Sequence, residues 1–282
     1  MQGHSRLGFT LEKEASGSSA RACRFTTLHN EVCTPIFMPV ATFAAFRGQD
    51  TAYVEALGFP VILSNTFHLM LRPGRDVFEK LGGIHRLMKW PRSVLTDSGG
   101  FQIFSMPDYH KITEEGALFR SYVDGQKILL TPELSIAMQK TIGSDIMMVL
   151  DQCVPSTSER KVSLDAVERT ARWAQRSLDA RGESEQSMFG IVQGACDTSL
   201  RKISASQITS LPFDGFAIGG LAVGENEEER KDVTEFTAAL LPKHLPRYLM
   251  GVGTPIDLLE AVHRGVDMFD CILPAAHGQQ GV

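Results

Sequence analysis

Four polar side chains stand at the ends of short apolar runs: Asp97 after SVLT, Asp151 after IMMVL, Gln193 after FGIV, and Asp270 inside VDMFDCILP. Each aspartate alone has a bland reading, since an Asp after a strand often caps the following helix. Asp270 is harder to dismiss, because an unpaired carboxylate inside an apolar run costs several kcal/mol unless something uses it. Brought together, three carboxylates and a carboxamide suit a neutral, planar ligand rich in hydrogen bonds. They could instead hold a divalent metal, but no His stands at those run ends as zinc or iron sites usually require. His68, in SNTFHLMLRPG, reads equally as a packing or capping residue. Gly99, Gly100, Gly219 and Gly220 would let backbone amides approach a flat ligand closely. Phe101 and Met250 could sandwich a ring or simply pack the interior. AIGGL lacks the strand–GxGxxG–helix setting of a dinucleotide fold, which makes phosphate binding the weaker reading.

Eight runs can position these groups: TPIFMPV, PVILSN, SVLTD, DIMMVLD, MFGIVQG, GFAIGG, RYLMGVG and VDMFDCIL. Most are continuously apolar, as parallel strands buried on both faces must be. Helices alternate with them. Thr131-Pro132 opens one that stops at Gly143, Thr254-Pro255 opens another that stops at Gly265, and Leu164, Val167, Ala171, Ala174 and Leu178 form a core-facing stripe. ENEEER reads as a solvated helix start. The pattern predicts an α/β fold, a (β/α)8 TIM barrel over residues 34–282. An N-terminal β-hairpin extension is expected over 1–33, turning at Gly17-Ser18. A second hairpin, turning at Asp124-Gly125, is expected in an insertion of about 102–130 after the third strand.

The five cysteines, at 23, 33, 153, 196 and 271, form no CxxC pair, so neither a disulfide framework nor a zinc ribbon is readable. No apolar stretch reaches the roughly 18 residues of a membrane span, and the N-terminus does not read as a signal peptide. A cytoplasmic protein without membrane partners is expected. The net charge of −5 argues against a surface coated for nonspecific nucleic-acid binding, without excluding a local basic face. Arg169, Arg172 and Arg176 share one side of a helix and read as a solvated face, with phosphate contact as the alternative.

In order along the chain, TPIFMPVAT, ILSNTFHLMLRPG, LTDSGGFQ, GSDIMMVLDQC, GIVQG, FAIGGLAVGE, RYLMGVG and DMFDCILP resemble the signatures of the tRNA-guanine transglycosylases, in their bacterial form. The resemblance runs from about residue 34 to 274. It implies exchange of the wobble guanine in a tRNA anticodon loop for a 7-deazaguanine of the queuosine pathway. Carried onto matching positions, Asp270 would be the nucleophile on the ribose anomeric carbon, and Asp97 the general acid/base. Asp151 and Gln193 would read the base edge, with the Gly220 amide on its carbonyl. The Leu221 backbone would meet the incoming base's aminomethyl group, Phe101 and Met250 would stack on the ring, and Ser98 and Cys153 would line the same pocket. Tight recognition of guanine by a carboxylate makes chemical sense, since it accepts from ring N–H and exocyclic amine together. A base must leave its stack to react, which favours loop RNA.

The sequence departs from the family in several places. Members continue into a zinc-binding module with a CxCxxC run and a distant His, and then a last barrel helix. This sequence stops at Val282 before those positions, so no cofactor is expected in it, the last barrel helix is expected to be missing, and the outer faces of the first and eighth strands are expected to be bare. Ala275-Ala276 stands for the usual Thr-Arg, Phe101 for a frequent Tyr, and Ala41 for a usual Gly. A homodimer is a possible assembly. The alternative function is a non-catalytic truncated relative that binds a base or partner without exchange. A metal-dependent barrel hydrolase is a more distant one.

Overall fold

The computed structural model describes residues 6–106 and 111–281. The N-terminal residues form an antiparallel sheet, β1 (Thr10–Glu14), β2 (Arg21–Thr26) and β3 (Glu31–Thr34), in that order. The expected hairpin is therefore one strand short. EVCT alternates exposed and buried side chains and adds to the β2 edge before Pro35, a signal hidden in the sequence by its brevity.

Eight parallel strands follow at the centre: β4 (Ile36–Met38), β5 (Val61–Ser64) and β6 (Ser93–Thr96), then, beyond the insertion strands β7 (Lys111–Ile112), β8 (Ala117–Arg120) and β9 (Lys127–Leu130), β10 (Ile146–Met148), β11 (Ser187–Val192), β12 (Gly215–Ile218), β13 (Arg247–Leu249) and β14 (Met268–Asp270). Their spatial order, β4-β14-β13-β12-β11-β10-β6-β5, keeps chain neighbours side by side. The ring closes between Val40 and Leu63, where Leu63 N–H donates to Pro39 at 2.9 Å and Ala41 N–H to Leu63 at 2.7 Å. All eight runs read from the sequence are barrel strands. Every residue of β5, β6, β11 and β12 is buried, which is why those runs carry no alternation.

The helices are α1 (Thr51–Ala56), α2 (Thr66–Leu71), α3 (Arg75–Leu81), α4 (Ile84–Met88), α5 (Gly100–Phe104), α6 (Pro132–Ile142), α7 (Arg160–Arg181), α8 (Thr198–Thr209), α9 (Glu227–Leu240), α10 (Pro255–His263) and α11 (Leu273–Gln280). Thr131 and Thr254 cap α6 and α10 by accepting from the Leu134 and Asp257 amides. Asn226 and Glu229 close a capping box at α9, making ENEEER the helix start its composition suggests. The insertion turns at Gly125 (φ 75°) as expected, but it too has a third strand, β7 paired with β8. Residues 107–110 of that segment lie outside the described residues.

A short helix, α11, does follow the eighth strand, yet none of its side chains is buried, so it does not cover the wall as α6 or α7 does. The first and eighth strands are less bare than expected: Ile36, Met38, Met268 and Phe269 are all buried, and Phe37 partly so. Around the eighth strand, Ile256 and Leu259 on α10, and Ile272, are exposed apolar side chains. No described helix is long and apolar enough to cross a membrane.

Candidate active site

Aspartates stand at both ends of the barrel strands, with different company. Three precede strands and each seals an amide in the first two residues of a neighbouring strand. Asp145 accepts from Val94 at 2.8 Å, Asp214 from Met188 at 2.9 Å and Asp267 from Arg247 at 2.7 Å. Each also has a basic partner. Asp267 takes the Arg21 guanidinium through both oxygens and Asp214 takes Arg181. Asp145 meets His29 and His85, whose rings stack 3.7 Å apart. Those partners explain why such carboxylates can be buried. The His29–His85–Asp145 group has ligand types that could hold a metal, but one nitrogen of each ring already meets the Asp145 carboxylate, at 2.7 and 3.2 Å. It reads as a staple.

Asp97, Asp151 and Asp270 follow their strands, and among the described residues none has a basic side chain in ion-pair range. They open instead onto a cavity of about 460 Å³, within the usual range for small-molecule sites. Asp97 is held from three sides: Asn65 Nδ2 donates at 2.6 Å, Thr66 N–H at 2.7 Å and Gln102 Nε2 at 2.9 Å. Burial pushes its pKa up to about 6, the charge of Asp270 adds to the rise, and the three donors hold it from going further. Across the cavity, Asp270 Oδ1 accepts from Tyr248 Oη at 2.5 Å and from Gly251 N–H at 2.8 Å. Burial raises its pKa too, against the pull of those two donors.

Asp151 accepts from Gln193 Nε2 at 2.6 Å, and burial pushes it up to about 6. Ser98 Oγ reaches it at 3.4 Å. Gly100 is required here, because a Cβ would stand 2.7 Å from the Asp151 carbonyl oxygen. Gly220 (φ 67°) lies against Gln193, whose Oε1 would be 2.2 Å from a Cβ.

Every residue expected at the site lines this cavity: Asp97, Ser98, Phe101, Asp151, Cys153, Gln193, Gly220, Leu221, Met250 and Asp270. Phe101 is 51% exposed and available to a ring. Burial and the charge of Asp151 push the Cys153 thiol up to about 12, which makes it a wall and not a nucleophile. His68 also lines the cavity and bonds Tyr122 Oη at 3.0 Å. Sequence reasoning missed Asn65, Gln102, Tyr248 and Glu225. Tyr248 is 1% exposed inside an apolar run and looks like core. Glu225 folds back on the Ala222 and Val223 amides and shapes the loop after β12. Only Asn65, a polar residue directly after β5, carried a strand-end signal in the sequence.

Arg169, Arg172 and Arg176 are neither free cations nor a plain solvated face. Arg172 and Arg176 bind Glu114 and Glu133, and Arg169 binds Gln152 at 2.5 Å. They tie α7 to the insertion and to the segments around it. The zinc set implied by the resemblance, a CxCxxC run with a distant His, is not formed by this chain's scattered cysteines, and no step below runs through a metal.

A family model described as queuine tRNA-ribosyltransferase matches residues 16–282. The queuine tRNA-ribosyltransferase of Herpetosiphon aurantiacus is 49% identical over 273 residues, covering 97% of this chain and 70% of the relative. That of Halalkalibacterium halodurans is 48% identical, covering 97% and 72%, and that of Bacillus subtilis 47%, covering 98% and 72%.

Proposed function

Because the chain belongs to the queuine tRNA-ribosyltransferase family, we propose that it is a tRNA-guanine transglycosylase that works through a covalent aspartyl-ribose intermediate. The observation that carries this reading is the pair Asp97 and Asp270, two unpaired carboxylates facing one cavity with different donors around them. An enzyme displacing a base at an anomeric carbon needs that division of labour.

Asp270 attacks C1′ of the wobble nucleotide as the C1′–N9 bond breaks. Protonated Asp97 gives its proton to the departing guanine, leaving an Asp270–ribose ester in the RNA. The incoming 7-deazaguanine then gives its N9 proton to the Asp97 carboxylate, N9 attacks C1′, and Asp270 leaves. A pKa near 6 suits a group that must donate in one half and accept in the other. Asp151 accepts from the base's ring N–H and exocyclic amine, Gln193 and the Gly220 amide address the remaining edge, and Phe101 and Met250 cover the faces. Tyr248 and the Gly251 amide aim Asp270 and favour its charged form against the effect of burial.

The test is incubation with radiolabelled guanine and an unmodified tRNA carrying a wobble guanine, with Asp270→Ala as control. Label enters RNA only with the parent chain. Absence of label, from protein shown to be folded by circular dichroism, overturns the reading in favour of a relative that binds without exchange.

A further inference from the structure

Arg201 is fully buried, and among the described residues no carboxylate lies within ion-pair distance of it. All of its hydrogen bonds go to backbone carbonyls, with the Glu225 charge acting only from beyond ion-pair range: Nε donates to Ala195 at 2.8 Å, one terminal nitrogen to Val192 at 3.0 Å and Gly219 at 2.7 Å, and the other to Gly220 at 3.3 Å. Stripping a guanidinium of water without an acid beside it is costly. The four carbonyls say what the cost serves. Two belong to the turn that carries Gln193 at the end of β11, and two to the Gly219-Gly220 turn at the end of β12.

Those two turns meet each other. Gly220 packs on the Gln193 carboxamide so closely that no Cβ fits, and Gln193 in turn donates to Asp151. From the same helix, Ser204 Oγ accepts from Gln193 N–H at 3.0 Å. From α8, therefore, one planar fork clamps two neighbouring turns that line the cavity. We infer that Arg201 is a positioning residue for base recognition, setting Gln193 and Gly220, and through Gln193 the Asp151 carboxylate, in register for the base edge. This rests on the exchange reading above. Lysine cannot replace it, since donors radiating from one atom do not span two turns as a fork does.

The role is selective: it touches the groups that read the base and none that hold Asp270. The test compares the full chain with Arg201→Lys by calorimetric titration with guanine, by KM for guanine and for tRNA in exchange, and by thermal unfolding. Guanine affinity falls roughly 10- to 100-fold, while the KM for tRNA rises less, because tRNA also engages through its phosphate backbone. Unchanged guanine affinity overturns the inference, and so does an equal loss for guanine and tRNA, which would mark a general structural role. Should Arg201→Lys not fold, Gly220→Ala drives a methyl into Gln193 and is expected to give the same guanine-selective loss. Equal loss for both substrates, or none, would again overturn it. A parent chain that neither binds nor exchanges guanine removes the exchange reading itself, whereas a binding parent with an indifferent Arg201→Lys removes only this role.

Discussion

Tyr248 gives Asp270 a hydrogen bond of 2.5 Å, the shortest held by any carboxylate facing the cavity. Donors to a carboxylate favour its charged form, so removing this one lets burial raise the Asp270 pKa further. Tyr248→Phe is expected to lower kcat roughly 10- to 100-fold, and to shift the acid limb of the kcat profile to higher pH. An unshifted limb would remove Tyr248 from this role. Asp151 sets a second pH dependence. Its pKa is raised to about 6, so it loses its charge as pH falls through that value and stops accepting from the base. The KM for the incoming base should rise below about pH 6. In Asp151→Asn it should be high at every pH, because a carboxamide offers only one acceptor atom where the base presents two donors. A normal base KM in that variant would contradict the assignment.

At the scale of elements, the barrel was legible because its strands are buried on both faces and its helices announce themselves with caps, Thr131-Pro132 and Gly143 being the clearest. The two small sheets were half legible. Their turns, at Gly17-Ser18 and Asp124-Gly125, carry the usual turn residues, but their third strands are four and two residues long and hold no periodicity to read. The aspartates that face the cavity were legible from strand ends, whereas Tyr248 and Arg201 were not, since a polar group buried inside an element shows its purpose only through its partners. The arginines of α7 are a similar case. Arg172 and Arg176 hold Glu114 and Glu133. Replacing both with Ala is expected to speed hydrogen exchange in β8 and β9 while leaving the salt dependence of tRNA binding unchanged. If they met phosphates instead, that slope would fall by about two.

Over the whole molecule, the two ends of the barrel divide stability from chemistry. Aspartates before the strands hold basic side chains and seal amides; aspartates at and after the strand ends face the cavity without a basic partner. The N-terminal sheet belongs to the sealing end, through the Arg21–Asp267 pair, both of whose side chains are almost wholly buried. Arg21→Ala strands a buried carboxylate and should cost about 3–5 kcal/mol in urea unfolding. The folded variant should still exchange guanine at close to the parent rate, since no cavity residue has moved. A marked loss of kcat at full folding would break the proposed division.

The most direct test of the central claim is to mix the chain with tRNA and a base analogue that carries carbon in place of N9, so that it cannot attack C1′, quench under denaturing conditions, and map any RNA–protein adduct by mass spectrometry. The account predicts a ribose ester on Asp270, absent in Asp270→Asn and retained in a chain whose Arg21 is replaced. An adduct on Asp97, or robust exchange with no adduct at Asp270, would contradict it.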